Sequence, residues 1–124
     1  MEASSLVLMN RVDGILEKEL GSYEIEEGLE LVYKAFVENG KVYLFLTVDR
    51  DVNDEQYNDI FDNYNIDEIS NMGSDVSEVE EEYNPVWQVN FEFKDDHDEM
   101  EEALNSIIAY HNGEIKRVFE EIAE

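Results

Sequence analysis

The chain has 124 residues, of which 33 are Asp or Glu and only 8 are Lys or Arg, giving a formal net charge of −25. A field of that sign repels polyanions and draws cations, so direct phosphate binding is excluded as the main business of the surface and a basic partner is implied. No cysteine is present, which excludes disulfides, zinc–thiolate sites and thiol nucleophiles, and a composition 43% hydrophobic and 11% aromatic excludes the low-hydropathy type of disordered chain.

The length suits one domain, 1–124. The opening Met1-Glu2-Ala3-Ser4-Ser5 lacks the basic residues and apolar run of a signal peptide. No stretch reaches the ~18 apolar residues of a membrane span. The expectation is a cytoplasmic protein that does not engage a membrane.

Taken in chain order, the first half reads as antiparallel sheet. Ser5–Met9 and Ile15–Ile25 flank the turn signal Asp13-Gly14. A three-residue loop there sets Leu8 against Leu20 and Arg11 against Glu17, which is preferred over a two-residue turn that opposes Leu8 to Glu19. Asn39-Gly40 is the strongest hairpin signal, since a type I′ turn needs positive φ at both central residues. Around it Val37 meets Val42, Ala35 meets Leu44, Tyr33 meets Leu46 and Leu31 meets Val48 on a core face. The opposite face pairs Glu38 with Lys41, Phe36 with Tyr43, Lys34 with Phe45 and Val32 with Thr47. Those are an opposite-charge pair, an aromatic pair and a cation–π contact of the kind that stabilises sheets.

After Asp49 the period changes from 2 to 3.6. Tyr57, Ile60, Phe61 and Tyr64 make one helical stripe, with Asn53 as N-cap and Asp54 and Glu55 at the positive end of the helix dipole. Over residues 65–84, Val76, Val79 and Tyr83 suit a short amphipathic helix, while Glu78 and Glu80–Glu82 suit an acidic loop. Trp87, Val89, Phe91 and Phe93 alternate with polar residues as a half-buried strand. A helix stripe follows at Met100, Ala103, Leu104, Ile107 and Ile108. It is stopped by Asn112-Gly113, with His111 in its last turn. A further helix carries Ile115, Val118, Phe119 and Ile122. The expected fold is α+β: an antiparallel sheet of about five strands in ββββ-α-β-αα order, with helices packed on one face.

The motifs that suggest chemistry fail on spacing. Asp95-Asp96-His97-Asp98-Glu99, with Glu101 and Glu102, looks like a hard-cation site, but helical neighbours diverge and acids collect at helix N-termini for the dipole alone. His97 and His111 are 14 residues apart, about 21 Å along a helix, too far to share an ion. Asp49-Arg50-Asp51-Val52-Asn53 opens like an EF-hand loop, yet Asp54 stands at position six and Ile60 at position twelve, where Gly and Glu are needed. Hydrolase and phosphate-loop motifs are missing. No enzyme activity, metal or cofactor is expected.

The charge is uneven. Residues 1–50 carry ten acids and five bases, residues 51–102 nineteen acids against Lys94 alone, and the last 22 residues four acids and two bases. Acids three or four apart on a helix lie about 5–6 Å from one another, and alternate strand residues about 6.6 Å. A face built so rivals the linear charge of a nucleic-acid strand, with one phosphate per ~3.4 Å. The candidate contact face is Asp54, Asp59 and Asp62 on the first helix, Asp75, Glu78, Glu80, Glu81 and Glu82 in the following segment, and Asp95, Asp98, Glu99 and Glu102 beyond it. The expected function is a non-enzymatic acidic inhibitor that occludes a basic protein, such as a DNA- or RNA-binding one, by mimicking nucleic acid, in the manner of a counter-defence factor. The alternative is a cytoplasmic scaffold or interaction domain that self-associates, as a homodimer, through the half-apolar sheet face of Val32, Phe36, Tyr43 and Phe45.

Overall fold

The computed structural model describes residues 5–71, 74–79 and 83–122. Among these, six strands form one sheet: β1 (Ser5–Val12), β2 (Ile15–Glu24), β3 (Val32–Glu38), β4 (Lys41–Leu46), β5 (Asp75–Val79) and β6 (Val86–Glu92). Their spatial order is β2-β1-β3-β4-β6-β5. The helices are α1 (Asp54–Asn63), α2 (Asp67–Asn71) and α3 (His97–Ile122), giving the order ββββ-αα-ββ-α. The class is α+β, but the sheet is mixed, because β1 pairs β3 in parallel. To bring that about, the chain leaves β2, crosses beneath α3 through a 3-10 turn at Leu29–Leu31, and enters β3 beside β1.

That crossing depends on Gly28. Its φ is +86°, and a Cβ there would lie 2.9 Å from Ile108 Cγ2 and 3.3 Å from the Ile108 carbonyl oxygen. Polar groups of α3 fasten the same segment: Glu101 accepts from the Glu24 N–H at 2.9 Å, and Asn105 accepts from Glu26 N–H while donating to the Glu24 carbonyl.

Both hairpins turn in two residues, with positive φ at Asp13, Gly14, Asn39 and Gly40. The β3–β4 register is as expected from Glu38–Lys41 through Lys34–Phe45. Beyond it, Tyr33 is an extra residue, so Leu46 faces Val32 rather than Tyr33. Since one residue of slip inverts every side chain, Val32 turns to the core instead of joining Phe36 on the other face. In the β1–β2 hairpin the expected three-residue loop is replaced by a two-residue turn and two bulges. Glu17 and Leu20 are the extra residues, and they set Arg11 against Leu16 and Leu8 against Gly21.

One face of the sheet carries Leu8, Val42, Leu44, Leu46, Trp87, Val89 and Phe91 into a single core with Ile60 and Tyr64 of α1, Ile69 of α2 and the buried stripe of α3. The α1 prediction holds: Asn53 and Gln56 form a reciprocal capping box, with bonds of 2.8 and 3.0 Å. Residues 75–79, read from sequence as helix or acidic loop, are a strand on the edge of β6. There Val76 faces Val89, while Asp75 and Ser77 fall opposite Asn90 and Gln88 on the other side. Valines three apart mimicked a helical step, and pairing with a strand edge overrode that local signal.

The two expected C-terminal helices are one helix of 26 residues. The buried stripe runs without a break through Ile107, Ile108, His111, Glu114, Ile115 and Val118, and Gly113 lies on the solvent side, where no cap is needed. His111 therefore sits in the core rather than in a last turn. Its Nε2 lies 2.7 Å from the Thr47 carbonyl, which can only accept, so Nε2 carries the proton and Nδ1 accepts the Tyr64 hydroxyl hydrogen bond at 2.8 Å. This relay joins α3, the end of β4 and the C-cap of α1. Tyr64 also stacks on Trp87, with centroids 4.4 Å apart.

Two glycine substitutions test this architecture in opposite directions. Gly113→Ala should raise stability by about 0.5–1 kcal/mol, because the glycine is a helix-interior residue with open space around it. Gly28→Ala should lower it by at least about 1–3 kcal/mol, from a left-handed φ and the contact with Ile108. Urea denaturation of both variants reads the two signs, and a destabilised Gly113→Ala would mean that the helix ends there.

Candidate functional site

The acids singled out in the sequence fall into three places. Asp54, Asp59 and Asp62 lie on α1, with Asp59 half-buried and the other two exposed. Asp75 and Glu78 are exposed on the edge strand β5. Asp95 precedes α3, Asp98 and Glu99 are in its first turn, and Glu102 follows one turn on. Glu80, Glu81 and Glu82 lie outside the described residues. The Tyr57 hydroxyl of α1 donates to the Val79 carbonyl at 3.4 Å, so α1 meets the far end of β5. From Glu99 and Glu102 at one end, through Asp75 and Glu78, to α1 at the other, acids thus follow one edge of the sheet. Charges on an edge strand also block edge-to-edge pairing.

A cleft of about 790 Å³ opens where the start of β5 and the end of β6 meet the first half of α3. Glu99 and Glu102 line it from α3, while Asp75 and Glu92 line it from the ends of β5 and β6, at register positions on the sheet face away from the core. None of the four takes part in an ion pair among the described residues. Phe91, Ala103 and Ile107 give it an apolar wall, and Lys41 and Lys94 stand at the β4 and β6 end. Ser74, only 6% exposed, also lines it. Glu92, Ser74 and Ser106 carry no sequence signal, because they meet only when β5 docks on β6. Asp95 and Asp98 do not line the cleft, and the α1 acids are at the other end of β5.

The neighbouring acids have structural employment. Asp96 caps α3, accepting from Glu99 N–H at 3.0 Å, and Glu101 holds β2. Among the described residues, no group of three or more His, Asp or Glu is arranged to hold a metal ion, and no helix is long and apolar enough to cross a membrane.

The opposite sheet face, the other candidate contact surface, is largely covered by its own cations. Phe36 is 6% exposed beneath Arg11, whose guanidinium carbon lies 3.7 Å from the ring centroid and whose fork binds Glu38 at 3.1 and 3.3 Å. Lys34 lies over Phe45 at 4.6 Å, and Phe36 stacks on Tyr43 at 5.1 Å. Tyr43 and Phe45 are half-buried, and Val32 faces the core. The most exposed large apolar residues of the sheet are Ile15 and Leu16, near the tip of the β1–β2 hairpin, and Tyr33 of β3.

With this geometry in place, the chain can be compared with known proteins. It belongs to DUF6762, a family of unknown function. The family's model matches residues 1–124. No curated protein and no solved structure matches the chain.

Buried polar groups hold the frame behind the cleft. Glu114 accepts from Asn65 N–H at 2.7 Å and from the Arg117 fork at 2.8 and 2.6 Å, while Arg117 also donates to the Asn63 carbonyl. Burial works to raise the Glu114 pKa, but Arg117 and the Asn65 N–H outweigh it and hold the carboxyl below its ordinary value. Burial pushes His111 down to about 4. His97 moves the other way: its bond to the Ser22 carbonyl at 2.9 Å, with Asp98 and Glu101 beside it, raises its pKa while it stacks on Tyr23.

The two histidines therefore link stability to pH with opposite signs. For His111 the folded pKa is depressed, so its contribution is complete above about 6.5 and is lost as pH falls from there towards 4, roughly 3 kcal/mol in all. For His97 the folded pKa is raised, so its contribution is complete below the unfolded value and fades as pH rises through the folded one. Imidazole NMR titration should place His97 above 6.5 and find His111 neutral at pH 5. An ordinary His111 midpoint would mean that the imidazole is not buried in the core, since burial is what lowers it and the Thr47 bond works the other way.

Proposed function

We propose that this protein is a non-enzymatic acidic binding protein that occludes the basic surface of a nucleic-acid-binding protein by standing in for the nucleic acid. The observation that carries the proposal is the set of exposed carboxylates on the edge strand β5 (Asp75, Glu78) and on the helices beside it, Glu99 and Glu102 of α3 and Asp54 and Asp62 of α1. No lysine or arginine within 4 Å neutralises Asp54, Asp62, Asp75, Glu99 or Glu102 among the described residues. A basic groove evolved for phosphates meets, on each helix, acids at comparable pitch. Steering by this edge speeds association, and counterion release from the complex makes affinity fall with salt.

Capture from a matched cell lysate at low salt tests the proposal. A basic nucleic-acid-binding protein should be retained, released by duplex DNA, and retained about tenfold or more weakly by Asp54→Lys/Asp62→Lys/Asp75→Lys. Retention that duplex DNA does not compete, or that the triple reversal leaves unchanged, would remove the mimic from consideration.

A further inference from the structure

We propose that the sheet face turned away from the helices is a homodimer interface, occupied by the same face of a second copy of this chain. The inference does not rest on the acidic-edge function proposed above. α1, α2 and α3 all bury against the other face, so among the described residues no helix covers this one. Three of the six large apolar residues left exposed among the described residues stand on it. Val7 alternates onto the Arg11 side of β1 and is 42% exposed, and Leu16, paired with Arg11, is 51% exposed. The inserted Tyr33 is 52% exposed, with the Lys34 ammonium 5.7 Å from its ring centroid. Half-buried Tyr43 and Phe45 of β4 continue the same surface. Exposed apolar residues scattered singly need no explanation, but residues gathered on one surface mark an interaction site.

Charge decides which partner fits. β1, β3 and β4 carry Arg11, Lys34 and Lys41 against Glu38 alone, whereas the whole chain stands at −25. The bases are matched within the face: Arg11 binds Glu38 at 3.1 Å, and Lys41 pairs with Glu38 and Glu92 in its two ladders. A polyanion is repelled by the field of the whole molecule, and a polycation is drawn to the helices and β5 instead. A second copy brings an equally balanced and equally apolar surface, self-complementary by two-fold symmetry. Docking sheet to sheet also holds the acid-bearing helices of the two copies farthest apart. Six strands about 4.8 Å apart and about seven residues long, at about 3.3 Å per residue, present roughly 650 Å² per copy. A pair therefore buries roughly 1,300 Å², at the lower end of specific interfaces, which suits a reversible dimer in the micromolar range rather than an obligate one.

Sedimentation equilibrium of the full chain over a concentration series should show a monomer–dimer equilibrium. It should tighten as ionic strength rises, because screening relieves the repulsion between two acidic copies. Leu16→Glu and Tyr33→Glu should each weaken the dimer at least about tenfold. Ile15→Glu is the control, since it adds the same charge to the same strand but beside Val12, on the other side of the sheet. It should weaken the dimer less than about twofold, with a thermal melt confirming that each variant folds. Isotope-filtered NMR on mixed labelled and unlabelled wild-type chain gives a check without mutation. Intermolecular NOEs should join the Val7 or Leu16 methyl groups to the rings of Tyr33, Tyr43 or Phe45. The proposal would be overturned by a monomer at every concentration, a dimer loosened by salt, or equal losses in Leu16→Glu and Ile15→Glu. Intermolecular NOEs confined to the outer edge of β2 or to the helices would overturn it as well. None of these outcomes touches the acidic edge, which stands or falls by the lysate capture.

Discussion

The relay from Tyr64 through His111 to Thr47 is the constraint on which the rest of the structure depends. It is the point where α1, α3 and the end of β4 meet, with Trp87 of β6 packed against both rings. Tyr64 and His111 are buried, and leaving one of their hydrogen bonds unmade would cost about 1–3 kcal/mol. Thr47 adds a bond from its hydroxyl to the Pro85 carbonyl, so the entry to β6 is tied to the same point. With these fixed, the first half of α3 is held over the end of β6 and the cleft keeps its shape. Glu114 and Arg117 secure the same joint from outside by holding Asn63 and Asn65 at the end of α1.

Much of this fold is legible in the residues, and what is not shares one cause. Asn39-Gly40, the β3–β4 register near the turn, the Phe36–Tyr43 and Lys34–Phe45 contacts and the Asn53 cap all depend on neighbours in sequence, and all are present. The failures depend on partners far away. Asn112-Gly113 has the chemistry of a helix end, but burial of Ile115 and Val118 on the stripe begun by Met100 carries the helix through it. Asp75–Val79 has the composition of a loop until β6 supplies an edge. Val32 changes faces because Tyr33 is inserted, and nothing local marks Tyr33 as extra. The cleft follows the same rule. Asp75, Glu99 and Glu102 could be named as acids of interest, yet the cleft that they line with Glu92 and Ser74 depends on β5 docking.

The acidity is tolerated because much of it is placed where the backbone favours it. Asp54, Glu55, Asp67, Glu68, Asp98 and Glu99 occupy first turns of helices, where the exposed N–H groups offset negative charge. The few bases are used economically: Arg11 shields Phe36 and binds Glu38, and Arg117 serves Glu114, Glu121 and the end of α1. Of the acids that line the cleft, Glu99 shares this first-turn compensation, while Asp75, Glu92 and Glu102 do not.

The ties between β2 and α3 have a consequence for how the molecule is made. Ser22, Glu24 and Glu26 are bound by His97, Glu101 and Asn105, across separations of 75 to 81 residues. The β1–β2 hairpin therefore waits for α3, the last of the described elements, before its end is satisfied and Leu8 and Ile25 are covered. Long-range closure of this kind slows folding. A nascent chain halted before α3 would expose an apolar sheet face, and its own dense negative charge would be the main force keeping such intermediates apart.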